Sequence, residues 1–265
     1  MSATHGSGRQ EVSVIETTTS SRPSASGAIP REGPAANGLP PELRAKMALA
    51  LDVDDLVEAL RLARRLSPWF GVAKVGLELF VAAGADVVGA LIDNGFEVFL
   101  DLKLHDIPST VRKAANVSGA LGVRYLSLHA QGGDEMLRAG VEGLYAGARN
   151  AGLPEPMAVA ITVLTTDSDA PAHIVPNRLR SAVEAGCSGI ICSGVDLKTV
   201  RELSPRTLRV VPGIRAEGTE SHDQPFPVTP EQALKDGADL LVVGRAVTLS
   251  DDPAAAAALL FKDVE

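Results

Sequence analysis

Aromatic residues are scarce in this sequence, at 3% of the chain, and no excess of positive charge accompanies them. Lysine and arginine number 25 against 33 aspartates and glutamates, a formal net charge of −8. A protein that follows phosphate backbones needs a basic surface, and one that holds single strands needs aromatic platforms for the bases. With both missing, general nucleic-acid binding is excluded. The same negative field repels small anions, so an anionic ligand must be held by a few well-placed cations.

Cysteine is nearly absent too. Cys187 and Cys192 are the two present; they cannot build a disulfide framework or a cysteine metal cluster, and both fall in one apolar stretch where buried thiols pack well. Apolar runs are short, none approaching the roughly 18 residues of a membrane span. The N-terminus has no basic-then-apolar signal pattern. These absences predict no membrane partner and a cytoplasmic location.

What is present is enough apolar material for one large domain: 45% of the 265 residues are hydrophobic. Met1–Pro40 stands apart, half Ser, Thr, Gly and Pro with no apolar period, and reads as a disordered extension because it buries too little to offset the entropy of ordering. From Pro41 to Glu265 short β-type runs alternate with helix-type periodicity. The runs are Met47–Leu51, Gly71–Val75, Glu97–Leu102, Tyr125–Leu128, Ala158–Val163, Gly189–Ile191, Arg209–Val211 and Leu240–Val243. Between them Asp55–Leu66, Leu79–Asn94, Ser109–Leu121 and Glu135–Asn150 repeat apolar residues every three or four positions. Eight such alternations predict an α/β fold, a (β/α)8 TIM barrel over 41–265, with a doubly wound open sheet as the alternative. No strand leads into a dinucleotide glycine fingerprint or a P-loop, which disfavours the open sheet.

In a (β/α)8 barrel the active site lies at the C-terminal ends of the strands. Charge arrives there from three of them: Asp52 follows the first run, Lys74 lies in the second, and Asp101 and Lys103 end the third. Strand alternation predicts Asp101 and Lys103 on one side and Leu102 on the helix side. Singly, Asp52 could cap a helix and Lys74 could reach solvent. Together, two carboxylates and two ammonium groups predict a paired cluster of alternating sign. Asp106 follows at the start of the next helix. At the other end of the chain, loops after strands 7 and 8 commonly grip phosphate in this fold. Gly244 lets the backbone approach an anion there, and Arg245 offers a planar fork of donors.

Asp-Leu-Lys-Leu-His-Asp-Ile-Pro at 101–108 resembles the Asp-x-Lys-x-x-Asp-Ile signature of the orotidine 5′-phosphate decarboxylase family. Leu-Asp-Val-Asp at 51–54, Lys-Val-Gly at 74–76, Val-Pro-Gly-Ile-Arg at 211–215, Asp-Gln at 223–224 and Val-Gly-Arg at 243–245 follow in the family's order. The resemblance implies a cofactor-free, metal-free decarboxylation of orotidine 5′-monophosphate. It implies Lys74, Asp101, Lys103 and Asp106 as the catalytic set, with Lys103 protonating C6. Asp52 and Lys74 would hold the ribose hydroxyls. Thr165 would meet the pyrimidine ring with Ser193 nearby. Arg215, Gln224, Gly244 and Arg245 would complete the substrate site, with Gln224 on a mobile lid over the phosphate. Asp106, Ile107 and Thr110 would reach the site of a second subunit, which implies a homodimer.

Metal-dependent sugar-phosphate enzymes of the same superfamily share Asp-x-Lys-x-x-Asp but carry a glutamate where this chain has Lys74, which separates them from it. A non-catalytic phosphometabolite binder would need the phosphate grip without the charged cluster. His129 is expected as a hydrogen-bonded histidine on the rim. His105 and Pro108 are given no chemistry.

Overall fold

The computed structural model describes residues 38–164, 171, 173–216 and 227–264. Of the extension expected over Met1–Pro40, residues 1–37 lie outside the described residues. Gly38–Pro40 is described, and the Leu39 N–H donates to the Pro68 carbonyl at 2.9 Å.

The strands are β1 (Met47–Leu51), β2 (Val72–Val75), β3 (Glu97–Leu104), β4 (Tyr125–His129), β5 (Met157–Ile161), β6 (Gly189–Ile191), β7 (Leu208–Val211) and β8 (Leu240–Val243). They pair in chain order as a closed barrel. Closure is made by the parallel pair β1–β8, with Met47 opposite Leu241 and Leu49 opposite Val243. The fold is therefore a (β/α)8 barrel, and the open-sheet alternative fails at that seam.

Around it lie α1 (Pro41–Arg44), α2 (Leu56–Leu66), α3 (Leu77–Ala83), α4 (Asp86–Asp93), α5 (Pro108–Ala120) and α6 (Gly133–Asn150). The series continues with α7 (Ile174–Glu184), α8 (Leu197–Leu203), α9 (Pro230–Asp236), α10 (Arg245–Thr248) and α11 (Pro253–Leu260). Local chemistry sets several boundaries. The Asp55 side chain accepts the Glu58 N–H at 2.8 Å and starts α2, and Pro108 occupies the first turn of α5, where its missing N–H costs nothing. The helical period over Leu79–Asn94 is not one helix. Gly84, at φ +64°, ends α3 in a conformation that few residues other than glycine adopt, and α4 starts again at Asp86.

Strand alternation sorts the apolar residues into two clusters. Ala48, Ala50, Val72, Phe99, Tyr125, Val159, Ile161, Ile191, Val210, Leu240 and Val242 come from strands alone and fill the barrel. The intervening residues, such as Leu49, Leu51, Val75, Leu100 and Leu126, join helix residues such as Ala59, Ala63 and Leu66 in the outer core. Each fully buried leucine contributes about 1.5–3 kcal/mol relative to exposure. Small alanines on β1 leave room for Phe99 and Tyr125, whose rings meet edge to face at 5.9 Å. The same packing holds α5 against α6 so closely that a Cβ at Gly147 would fall 1.9 Å from the Asn116 carbonyl oxygen. Both cysteines are buried, and burial pushes each thiol up to about 12.

Candidate active site

The inward positions at the C-terminal end of β1–β3 change from apolar to charged. Ala48 and Ala50 lead to Asp52, Val72 to Lys74, and Phe99 to Asp101. Because adjacent strands are in register, with Ala50 opposite Lys74 and Lys74 opposite Phe99, these charges converge. Lys74 Nζ donates to Asp52 Oδ1 at 3.1 Å and lies 3.9 Å from Asp101 Oδ2. Lys103 Nζ donates to Asp101 Oδ2 at 2.8 Å. The result is a line of alternating sign, Asp52–Lys74–Asp101–Lys103. Lys74 and Asp101 are buried at 9% and 8% exposure, so each needs the other's charge to offset its desolvation. Asp101 Oδ1 is also buried and accepts no hydrogen bond from the described residues.

Lys103 reaches the line by a route that strand alternation does not predict. β3 runs on to Leu104 and its register against β4 shifts between Leu100 and Leu104. Within that bulge Lys103 has φ +52°, the one positive φ outside glycine among the described residues. A non-glycine residue there costs on the order of 1–3 kcal/mol. The Lys103 N–H donates to the Ser127 hydroxyl at 2.7 Å, and Ser127 is fully buried. Leu102 still turns outward and packs on the outer core. Sequence reasoning missed Ser127; the signal was a lone hydroxyl at an inward position of the apolar β4.

A cavity of about 300 Å³ lies against the line, with Lys74, Asp101 and Lys103 on its wall. Phe99, Ile161, Ile191, Val210 and Val242 make the apolar remainder, joined by Pro212 and the β5-end residues Val163 and Leu164. Beside Lys103's strand, the His129 ring stacks on His105 with centroids 5.3 Å apart. His129 Nδ1 accepts the Gln131 N–H at 3.3 Å. Burial first, and then the neighbouring His105, Arg178 and Lys103, hold its pKa below the usual 6.5.

The other expected site residues divide by strand. Gly244 caps the start of α10 next to β1, where a Cβ would lie 3.3 Å from the Ala50 Cβ and 3.8 Å from Asp52 Oδ2. Arg245 is the first residue of α10 and is half-buried. Arg215 follows β7, is 5% exposed, and donates from its guanidinium to the Ile214 carbonyl at 2.8 Å. Its N–H donates to the Val228 carbonyl at 3.0 Å, tying together the two described ends of the β7 loop. Gln224 and Thr165 lie outside the described residues. The Ser193 hydroxyl donates to Asp196 at 2.6 Å. Asp106, Ile107 and Thr110 are exposed at the start of α5. Asp106 Oδ1 accepts the Ile107 N–H at 2.6 Å, and among the described residues no ion pair joins Asp106 to the line.

A closed (β/α)8 barrel with this line of charges over an apolar cavity at the C-terminal ends of its strands has the architecture of a barrel enzyme. Residues 45–260 match the orotidine 5′-phosphate decarboxylase / HUMPS family, and the chain belongs to that family. It is 40% identical over 232 residues to orotidine 5′-phosphate decarboxylase of Moorella thermoacetica, covering 83% of this chain and 92% of that one. With the enzyme of the same name from Maridesulfovibrio salexigens it shares 42% identity over 225 residues, or 80% and 95% of the two chains. The crystal structure of orotidine 5′-phosphate decarboxylase from Lactobacillus acidophilus superposes with a TM-score of 0.69 at 35% identity, covering 82% of this chain and 97% of that one.

Proposed function

We propose that this chain decarboxylates orotidine 5′-monophosphate to uridine 5′-monophosphate and carbon dioxide, the last step of de novo pyrimidine nucleotide synthesis. The observation that carries the reading is Asp101. One of its oxygens is bound to Lys103, and the other is buried without a hydrogen-bond partner among the described residues. Both belong to a side chain on the wall of a largely apolar cavity.

In the reaction the bond between C6 and the substrate carboxylate breaks, and its electron pair stays on C6. Carbon dioxide leaves, and a proton from Lys103 Nζ closes the C6–H bond; solvent then reprotonates the amine. No electron sink exists in the pyrimidine for that pair, so stabilisation has to come from placed charge. Lys103 supplies both the positive charge and the proton. Asp101 fixes the Lys103 ammonium and presents negative charge where a substrate carboxylate would sit, which disfavours the ground state more than the carbanion. Lys74 stands between Asp52 and Asp101. The two carboxylates are thus already paired to an ammonium, a donor set unsuited to a divalent cation, which prefers all-oxygen coordination.

Asp52 and Lys74 bind the ribose hydroxyls in this reading, while Arg245, Gly244, Arg215 and Gln224 take the phosphate end and Thr165 the pyrimidine. Asp106, Ile107 and Thr110 serve the site of a second copy in a homodimer. The 64% exposure of Ile107 supports that role, since an apolar side chain so exposed at the head of a helix suits burial by a partner. The protein acts in the cytoplasm.

The test is product analysis with carboxyl-labelled orotidine 5′-monophosphate in excess chelator. Equimolar labelled carbon dioxide and uridine 5′-monophosphate are expected. No release in chelator, with turnover of a sugar phosphate once Mg²⁺ is added, would move the chain to metal-dependent chemistry; silence in both would make it a binder.

A further inference from the structure

The β3 bulge gives Ser127 a task that rests on the decarboxylase reading and goes beyond it. Leu100 pairs with Leu126 and Leu104 with Leu128, so β4 sets only Ser127 opposite Asp101, Leu102 and Lys103. Three residues of β3 thus face one of β4, so the bulge takes amides out of the regular ladder, and a buried N–H left without a partner is costly. The Ser127 hydroxyl takes the Lys103 N–H at 2.7 Å from a fully buried position. This bond holds the residue whose φ of +52° swings the ammonium back onto Asp101, 2.8 Å away.

We propose that Ser127 is a positioning residue for the reaction: it holds the left-handed turn at Lys103 and thereby sets where the Lys103 ammonium stands. Ser127 is not among the residues that wall the cavity. Its effect is therefore exerted through Lys103 and not on substrate binding. A buried strand serine with a purely structural role would change stability, but it would not separate turnover from binding.

Three variants test the assignment: Ser127→Ala removes the acceptor, Ser127→Thr keeps it, and Ser127→Cys keeps the shape with a much weaker one. Ser127→Ala is expected to lower kcat by about 10- to 100-fold, the cost of an unsatisfied buried donor, with KM within about threefold of wild type. Ser127→Thr is expected to recover most of the loss. Amide hydrogen exchange at Lys103 gives a readout independent of turnover: protected in wild type and Ser127→Thr, open in Ser127→Ala. An unchanged kcat in Ser127→Ala, a rise in KM matching the fall in kcat/KM, or equal protection of Lys103 in all variants would overturn the proposal. If Ser127→Ala does not fold, Ser127→Cys is read in the same way, and failure of both to fold would mean a role in the fold alone. Wild type inert to orotidine 5′-monophosphate would remove the decarboxylase reading, and exchange at Lys103 would still decide whether Ser127 holds the turn.

Discussion

The two sides of the barrel mouth are built differently. On β1–β3 the functional groups sit on strand ends or in a bulge pinned to β4, and they pair with one another: Asp52 with Lys74, Lys74 with Asp101, Asp101 with Lys103. After β7 and β8 the expected substrate groups sit on a long loop and at the first residue of a four-residue helix. Strand-borne groups inherit the rigidity of the ladder, whereas loop-borne groups can adapt to a ligand. The comparison teaches that the reacting end is assembled by the fold itself. The anion-binding end we propose rests instead on groups outside the strands, Arg215 after β7 and Gly244 and Arg245 after β8.

The largest break in that comparison should come from Lys103. Lys103→Ala is expected to lower kcat about 10⁴-fold or more, since charge stabilisation and proton donation leave together. The fold should persist, since Lys74 stays 3.9 Å from Asp101, but the melting temperature should drop, because buried Asp101 loses the hydrogen bond from Lys103. Activity above about a hundredth of wild type would separate Lys103 from the chemistry.

Arg245→Ala acts on the loop-built side. We expect kcat/KM to weaken by about 2–5 kcal/mol, as for truncating one member of a desolvated charge pair. Unchanged kcat/KM for orotidine 5′-monophosphate would take Arg245 out of the phosphate site.

Asp106 tests whether the strand-built side is complete within one chain. Mixing the Asp106→Ala and Lys103→Ala proteins, each feeble alone, should regenerate one intact site in every mixed dimer, to about a quarter of wild-type activity after random exchange. No regeneration after verified subunit exchange would place Asp106 in its own chain's site or in none.

The smallest effect belongs to His129 and sharpens the boundary of the charged line. Its native pKa is lowered by burial and by the positive neighbours His105, Arg178 and Lys103, so the native protein resists protonation there while the unfolded chain does not. The associated stability is present above the unfolded value near 6.5 and is lost as pH falls through the native pKa. Urea unfolding between about pH 7.5 and 5 should therefore show a steeper loss in wild type than in His129→Gln. Parallel curves would mean that His129 is not held neutral by its surroundings.

The sequence made the barrel and the charged line legible for a physical reason. Periodicity reports which face is buried, and a carboxylate or ammonium ending a buried strand has few places to go except the mouth. Asp52, Lys74, Asp101 and Lys103 were readable in that way. The turn that brings Lys103 to Asp101 was not, because a bulge is a matter of pairing between strands and leaves no mark in the alternation of one strand. Ser127 showed only as a lone hydroxyl at an inward position of β4, and its partner is set by that bulge. The break between α3 and α4 was hidden by an apolar period that continues through Gly84, whose φ of +64° is set by the turn and not by hydrophobicity. The place of Gly244 and Arg245 directly after β8 was readable from the strand pattern, while the reach of Arg215 back to the Ile214 carbonyl depends on the chain path after β7.

The central claim is that the strand-built side performs the chemistry while the loop-built side supplies grip. Steady-state kinetics of Arg245→Ala and Lys103→Ala, carried to saturating orotidine 5′-monophosphate, test it most directly. The account predicts that Arg245→Ala approaches wild-type kcat to within about tenfold at a greatly raised KM, whereas Lys103→Ala stays down about 10⁴-fold at every concentration. A Lys103→Ala rate restored by saturation, or an Arg245→Ala protein equally dead at saturation, would contradict it.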